Sequence, residues 1–239
     1  MNKKYELTDE TQEWNGRTLH RIRALADFGD VKAGELGGWI EKEENLSHNG
    51  NAWVYGDAWV CGDARVCGDA QVCGDARVCD NALVRDNALV RGDAQVCDNA
   101  RVCDNAQVCG DAQVCGDARV CDNALARDNA LVRGNAQVYG DAWVYGDAQV
   151  YGDARVCGNA EIFKTSDYFT SGPIGSRNAT ITFFRCKDGK IRATTGCFYG
   201  DLDQLEAAVR SKHQNNNYAQ AYMAVIAAAK AQIGADQNV

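Results

Sequence analysis

The chain of 239 residues lacks several features that usually guide interpretation. It has one proline against 24 glycines, so few of its corners can be set by a fixed φ. No apolar run is long enough to span a bilayer, and none follows MNKKYELTDE as a secretory leader would. A cytoplasmic location is therefore expected, in whatever cell makes the chain. Positive charge is in deficit, with 25 Lys and Arg against 33 Asp and Glu, a net charge of −8. That balance argues against wrapping nucleic acid. Hydrophobic residues at 46% and charged residues at 24% exclude a disordered chain. No CxxC pair occurs among the twelve cysteines, which weakens the usual zinc and disulfide readings.

What is present is a repeat. Residues 50–163 divide without a gap into 19 hexapeptides of the form [G/D]-[D/N]-A-x-V-x. The third position is Ala in every copy, and the fifth is Val except at Ala126 and Ile162. A helix has no use for a period of six, because residues two apart point to different sides of a 3.6-residue turn. A short strand does: Ala and Val share its inner face and the variable residues its outer one. The Gly-Asp or Asp-Asn pair then turns a corner, using residues that tolerate positive φ or bond locally. Three such strands close a triangular coil of 18 residues, and parallel pairing stacks the coils about 4.8 Å apart.

The expected fold is an all-β solenoid, a left-handed parallel β-helix of about six coils and about 30 Å of rod. A right-handed solenoid is the alternative. The expected boundaries are a cap over 1–49, the repeat over 50–163 and a C-terminal unit over 164–239. Ten of the cysteines, from Cys61 to Cys157, sit in the sixth position of the repeat. They are read as reduced, half-buried small side chains that hold no metal.

At a period of 18 the outer residues sort by face. One face carries Trp53, Gln71, Leu89, Gln107, Leu125 and Trp143, with no charge, and is the candidate interface. A second carries Trp59, Arg77, Gln95, Gln113, Leu131 and Gln149. The third holds a basic column of Arg65, Arg101, Arg119 and Arg155. Asp57, Asp75, Asp93, Asp111 and Asp147 stack at one corner, where each is expected to bond its own turn amides.

The flanks do not repeat. In the first 49 residues, YEL and TLHRIRAL read as strands, and Trp39 and Ile40 are placed to plug the first coil. Pro173 and neighbouring glycines read as a linker. ITFFRC-KDG-KIRATTGCFYG then reads as a hairpin turning at Asp188-Gly189. Asp201 caps a helix carrying Leu202, Leu205 and Val209. A second helix carries Tyr218, Tyr222, Val225, Ile226 and Ile233, completing a ββαα unit.

FGDVKAGELGGWIEKEENLS followed by GNAWVYGDA resembles the start of the YdcK-like hexapeptide-repeat proteins of bacteria. TFFRCKDGKIRATTGCFYGDLDQLEAAVRSKH is similar to a module of prophage-encoded proteins. The resemblance implies a left-handed β-helix and a phage origin, and supplies no catalytic residue.

Enzymes built on such helices use histidines on the coils as base or zinc ligand. Here His20, His48 and His213 all lie outside the repeat. Ice binding would need threonine ladders, and the repeat has no Thr. The expectation is no enzyme and no cofactor. The preferred reading is a non-catalytic scaffold docking a protein partner or itself, as dimer or trimer, with no membrane contact. One alternative is an acidic phage counter-defence inhibitor that mimics nucleic acid or sequesters a host factor. The other is an enzyme using Cys197 and His213 of the C-terminal unit.

Overall fold

The computed structural model describes residues 3–234. Every hexapeptide contributes a two-residue strand at its fourth and fifth positions, from Trp53–Val54 to Glu161–Ile162. Strands 18 residues apart pair in parallel, as in Leu89↔Gln107 and Val90↔Val108. The three faces become three parallel sheets; the sheet carrying the candidate interface has seven strands, so the stack runs to about seven turns. Each third-position Ala and each fifth-position Val, with Ala126 and Ile162, is buried in one continuous core. Burying a valine contributes roughly 1.5–3 kcal/mol, so the repeat gains stability coil by coil.

The hydrogen bonds between coils have a direction. Gln71 N–H donates to Ala88 C=O at 2.9 Å and Cys73 N–H to Val90 C=O at 2.9 Å, each amide reaching forward one coil. The first coil is therefore left with bare carbonyls and the last with bare amides. Each flank supplies what its end lacks. At the first coil Lys4 Nζ donates to Ala52 O at 2.7 Å, and Asn45 Nδ2 to Gly62 O and Ala64 O at 3.0 and 2.8 Å. At the last coil Thr165 Oγ1, Tyr168 OH and Thr182 Oγ1 accept from the amides of Gln149, Tyr151 and Arg155. Unpaired buried backbone is costly, so these contacts close the rod chemically at both ends.

The N-terminal cap is a hairpin of β1 (Tyr5–Trp14) and β2 (Arg17–Ala24), joined at Asn15-Gly16 with both φ positive. β3 (Leu36–Ile40) pairs antiparallel with β2 and in parallel with the Trp59–Val60 strand, at Trp39↔Trp59 and Ile40↔Val60. Ile40 thus enters the core as expected, whereas Trp39, on the other side of the strand, packs with Leu19 and Trp59 outside it.

The C-terminal unit has two more strands than the expected ββαα. β4 (Tyr168–Ile174), β5 (Ala179–Arg185), β6 (Ile191–Thr195) and β7 (Phe198–Asp201) form one antiparallel sheet in that order. Pro173 belongs to β4 and not to a linker; β4 is an edge strand, where a missing N–H does no harm. Strand alternation gives β5 two jobs: Phe184 closes the solenoid core, while Ile181 and Phe183 face a second core under α1 (Leu202–His213) and α2 (Asn217–Gly234). Asp201 caps α1 as expected, its carboxylate accepting from Gln204 N at 2.9 Å, while Gln204 Oε1 accepts from Asp201 N at 2.9 Å. On α2, Ile226 and Ile233 are buried, whereas Tyr218 is exposed.

Candidate functional site

The middle of the candidate face is open to solvent and one end of it is covered. Trp53 is buried, packed edge-on against Tyr5 and Phe28 at ring separations of 6.1 and 5.2 Å. Gly37 makes room for it: a Cβ there would stand 2.6 Å from Trp53 Cζ2. Trp53 is therefore cap core and no part of an open face. Gln71 and Gln107 are exposed, Leu89 and Leu125 half-buried, and Trp143 is 37% exposed with Lys187 Nζ 3.9 Å from its ring centroid. The column ends in Glu161, whose carboxylate accepts from Tyr145 OH at 2.9 Å.

The basic column is formed as expected. Arg65, Arg101, Arg119 and Arg155 are all exposed, and Arg101 pairs in register with Arg119. On the remaining face Trp59 is buried beside Trp39 and Trp14, with the Arg77 guanidinium 5.5 Å from its ring.

The corner carboxylates behave differently from expectation. The partners seen for the Asp57-to-Asp147 column lie across coils or in the cap, not in the same turn. Asn129 Nδ2 donates to Asp147 Oδ1 at 2.9 Å, and Arg21 approaches Asp57 at 3.8 Å. The same happens at a neighbouring corner, where Asn87, Asn105, Asn123 and Asp141 form a carboxamide ladder at 3.0–3.1 Å. A corner side chain stands as near the next coil as its own turn, because coils repeat at strand spacing.

Cys197 and His213 lie on the wall of one cleft in the C-terminal unit. Cys197 lies in the β6–β7 turn and His213 ends α1, and both line one cleft of about 140 Å³ with Arg177, Lys212 and Tyr222. The His213 ring lies 5.9 Å from that of Tyr222 at 22°, a stacked arrangement that fixes the imidazole plane. Arg210, Lys212 and His213 crowd the last turn of α1, where the helix dipole favours positive charge. The cleft has the residue types for nucleophile and base, in a volume suited to a small group. All twelve cysteines are free, those of the repeat being buried or half-buried.

The YdcK Beta solenoid repeat profile matches residues 70–86, 94–111, 136–152 and 148–161, all within the rod. The chain is also 38% identical, over 61 residues, to a protein of Escherichia coli strain K12 named "Uncharacterized acetyltransferase YdcK". That alignment covers 22% of this chain and 19% of the relative. The name of that relative corrects the expectation that the chain is no enzyme: a similar repeat occurs in a protein named as an acetyltransferase. The lack of coil histidines was too narrow a ground, since it judged the rod by one catalytic arrangement. The solenoid is thus similar to the YdcK-type repeat.

Proposed function

We propose that the rod is a docking scaffold. A partner protein or a second copy lies along the face carrying Gln71, Leu89, Gln107, Leu125 and Trp143. One observation carries this reading: the flanks cover both ends of the solenoid and satisfy their backbone, so association along the axis is blocked and the flat sides are left. Of the three sides, this one alone has no charged outer strand residue from Trp53 to Trp143, where the others carry Arg77 or the basic column, and half-buried leucines with an exposed tryptophan suit burial against another surface. Sedimentation of the full chain over a range of concentrations tests it. A mass above that of the 25.9 kDa chain, or a protein retained stoichiometrically through purification, is expected. A lone monomer at every concentration, retaining nothing, contradicts the reading.

A second reading has its own observation. The cleft that holds Cys197 and His213 supports group transfer through the thiol, in keeping with the name of the relative. Incubation with an acetyl thioester should acetylate Cys197 and fail in Cys197→Ser. No labelling of the wild-type chain removes this reading and leaves the scaffold untouched.

A further inference from the structure

The cysteines of the repeat form columns that no CxxC search can find. Parallel pairing at Gln95↔Gln113 and Val96↔Val114 brings Cys97 beside Cys115, and pairing at Arg101↔Arg119 and Val102↔Val120 brings Cys103 beside Cys121. In both cases the residue after the first cysteine is an aspartate in the left-handed region, Asp98 at φ 59° and Asp104 at φ 60°. That backbone turns the carboxylate along the rod toward the next coil. Asp98 Oδ2 accepts from Gly116 N at 2.9 Å, and Asp104 Oδ2 from Asp122 N at 3.4 Å. Each carboxylate keeps its second oxygen. Cys103 Sγ also approaches Asp104 Oδ2, at 3.2 Å.

The outcome is the same small cluster built twice, one hexapeptide apart: two sulfurs and a carboxylate oxygen, all within 4.8 Å of one another. We propose that Cys97, Asp98 and Cys115 form one binding site for a thiophilic divalent cation of the zinc type, and that Cys103, Asp104 and Cys121 form a second.

Donor chemistry sets the choice of ion. Two thiolates select zinc and its congeners over calcium or magnesium, which prefer many oxygens. Tetrahedral zinc with sulfur at about 2.3 Å holds two sulfurs about 3.8 Å apart, so closure takes a shift of about 1 Å or less. Three protein donors leave the fourth position to water or to an incoming ligand, at the surface of the rod. The thiols are not all alike before binding. The hydrogen bond from Cys79 holds Cys97 below the ordinary thiol range, whereas burial pushes Cys103, Cys115 and Cys121 up. A bound cation deprotonates such thiols outright.

The carboxylate distinguishes these sites from the other cysteines. Cys61 precedes Gly62 and Cys109 precedes Gly110, so neither has an acid beside it, and Cys109 stacks on Arg127. Cys79-Asp80 repeats the pattern but shares Cys97 with the first cluster, so it adds no further ion. Zinc readings from sequence look for ligands a few residues apart. Here they are 18 apart, and the pitch of the coil closes the gap.

The test uses the full chain, reduced with a thiol-free reductant, stripped of metal, loaded with Zn²⁺ and desalted. Zinc is then counted per chain by elemental analysis. The wild type should retain two ions, Cys97→Ser (which also removes the cysteine that Cys79-Asp80 would share) and Cys121→Ser one each, and the double variant none, while Cys109→Ser retains two. The variants should fold, because the same two columns also hold Arg133 and Tyr139; their unfolding midpoints without metal check this. A wild type that retains less than one ion overturns the proposal. So does a folded double variant that retains as much zinc as the wild type.

Discussion

The carboxylate of Asp98 accepts a hydrogen bond from the amide of Gly116, one coil further along the rod, at 2.9 Å. The six corner aspartates with positive φ in the repeat (Asp80, Asp86, Asp98, Asp104, Asp122 and Asp128) all do the same, reaching the amide 18 residues on at 2.9–3.5 Å. This explains why the first letter of the hexapeptide is only ever Gly or Asp. Glycine adopts the left-handed corner without strain, and aspartate offsets its strain with a bond between coils.

Asp98→Ala should therefore keep the strain and lose the bond, at a cost of about 1–2 kcal/mol. Asp98→Gly should cost less, because it loses both together. Urea unfolding of the two variants decides it; an alanine variant at least as stable as the glycine variant contradicts this view of the corner.

Val102 is fully buried mid-rod, between Val84 and Val120. Val102→Asp puts a charge where nothing can pair with it and should cost roughly 3 kcal/mol or more. Ala126, also fully buried, interrupts a column of valines between Val108 and Val144. Ala126→Val should raise the unfolding midpoint if that column has the uniform width the repeat implies. A Val102→Asp chain melting like the wild type would show that the fifth position does not point inward.

Lys4 is buried beneath the first coil, and burial pulls its ammonium down to about 8 against a weaker opposing effect of Asp69. The free side chain titrates near 10.5. Between these values the unfolded chain holds a proton that the folded chain has released, so stability rises with pH over that window. Below pH 8 both states carry the charge and the cost of burying it is felt in full. The unfolding free energy of the wild type relative to Lys4→Met should increase between pH 7.5 and 10. A constant difference would mean that Lys4 titrates normally in the cap.

Thiol accessibility follows the same geometry. Cys197 is exposed and should react first with a thiol reagent. Cys61, pushed up to about 11 by burial, should lag with Cys103, Cys157 and Cys186 until the chain unfolds. Uniform rapid labelling of all twelve would contradict the packing of the sixth position.

The repeat was largely legible because its physics is local. Ala and Val two residues apart fix the inner face, and a period of 18 assigns every outer residue to a side. What the period does not carry is what the flanks do to it. Trp53 sits in the same column as Leu89, yet the cap buries it, and the only trace in the sequence is Gly37, whose missing Cβ gives the indole its space. The cross-coil bonds of the aspartates escaped for a similar reason: the turn is local in sequence, but the nearest amide belongs to another coil. Pro173 misled because a proline is compatible with an edge strand as well as a linker, and only the sheet order distinguishes them. Cys197 and His213 lie 16 residues apart with a helix between them, and the fold places both on one cleft.

The docking face is tested most directly by replacing its two half-buried leucines. Leu89→Glu with Leu125→Glu leaves the core intact, since Val90 and Ala126 are the inward residues of those strands. Light scattering on the full chain should show the mass of the double variant falling to that of the single chain, or a co-purifying protein lost, with the unfolding midpoint kept. An unchanged mass and an unchanged partner in a folded variant would contradict docking along this face.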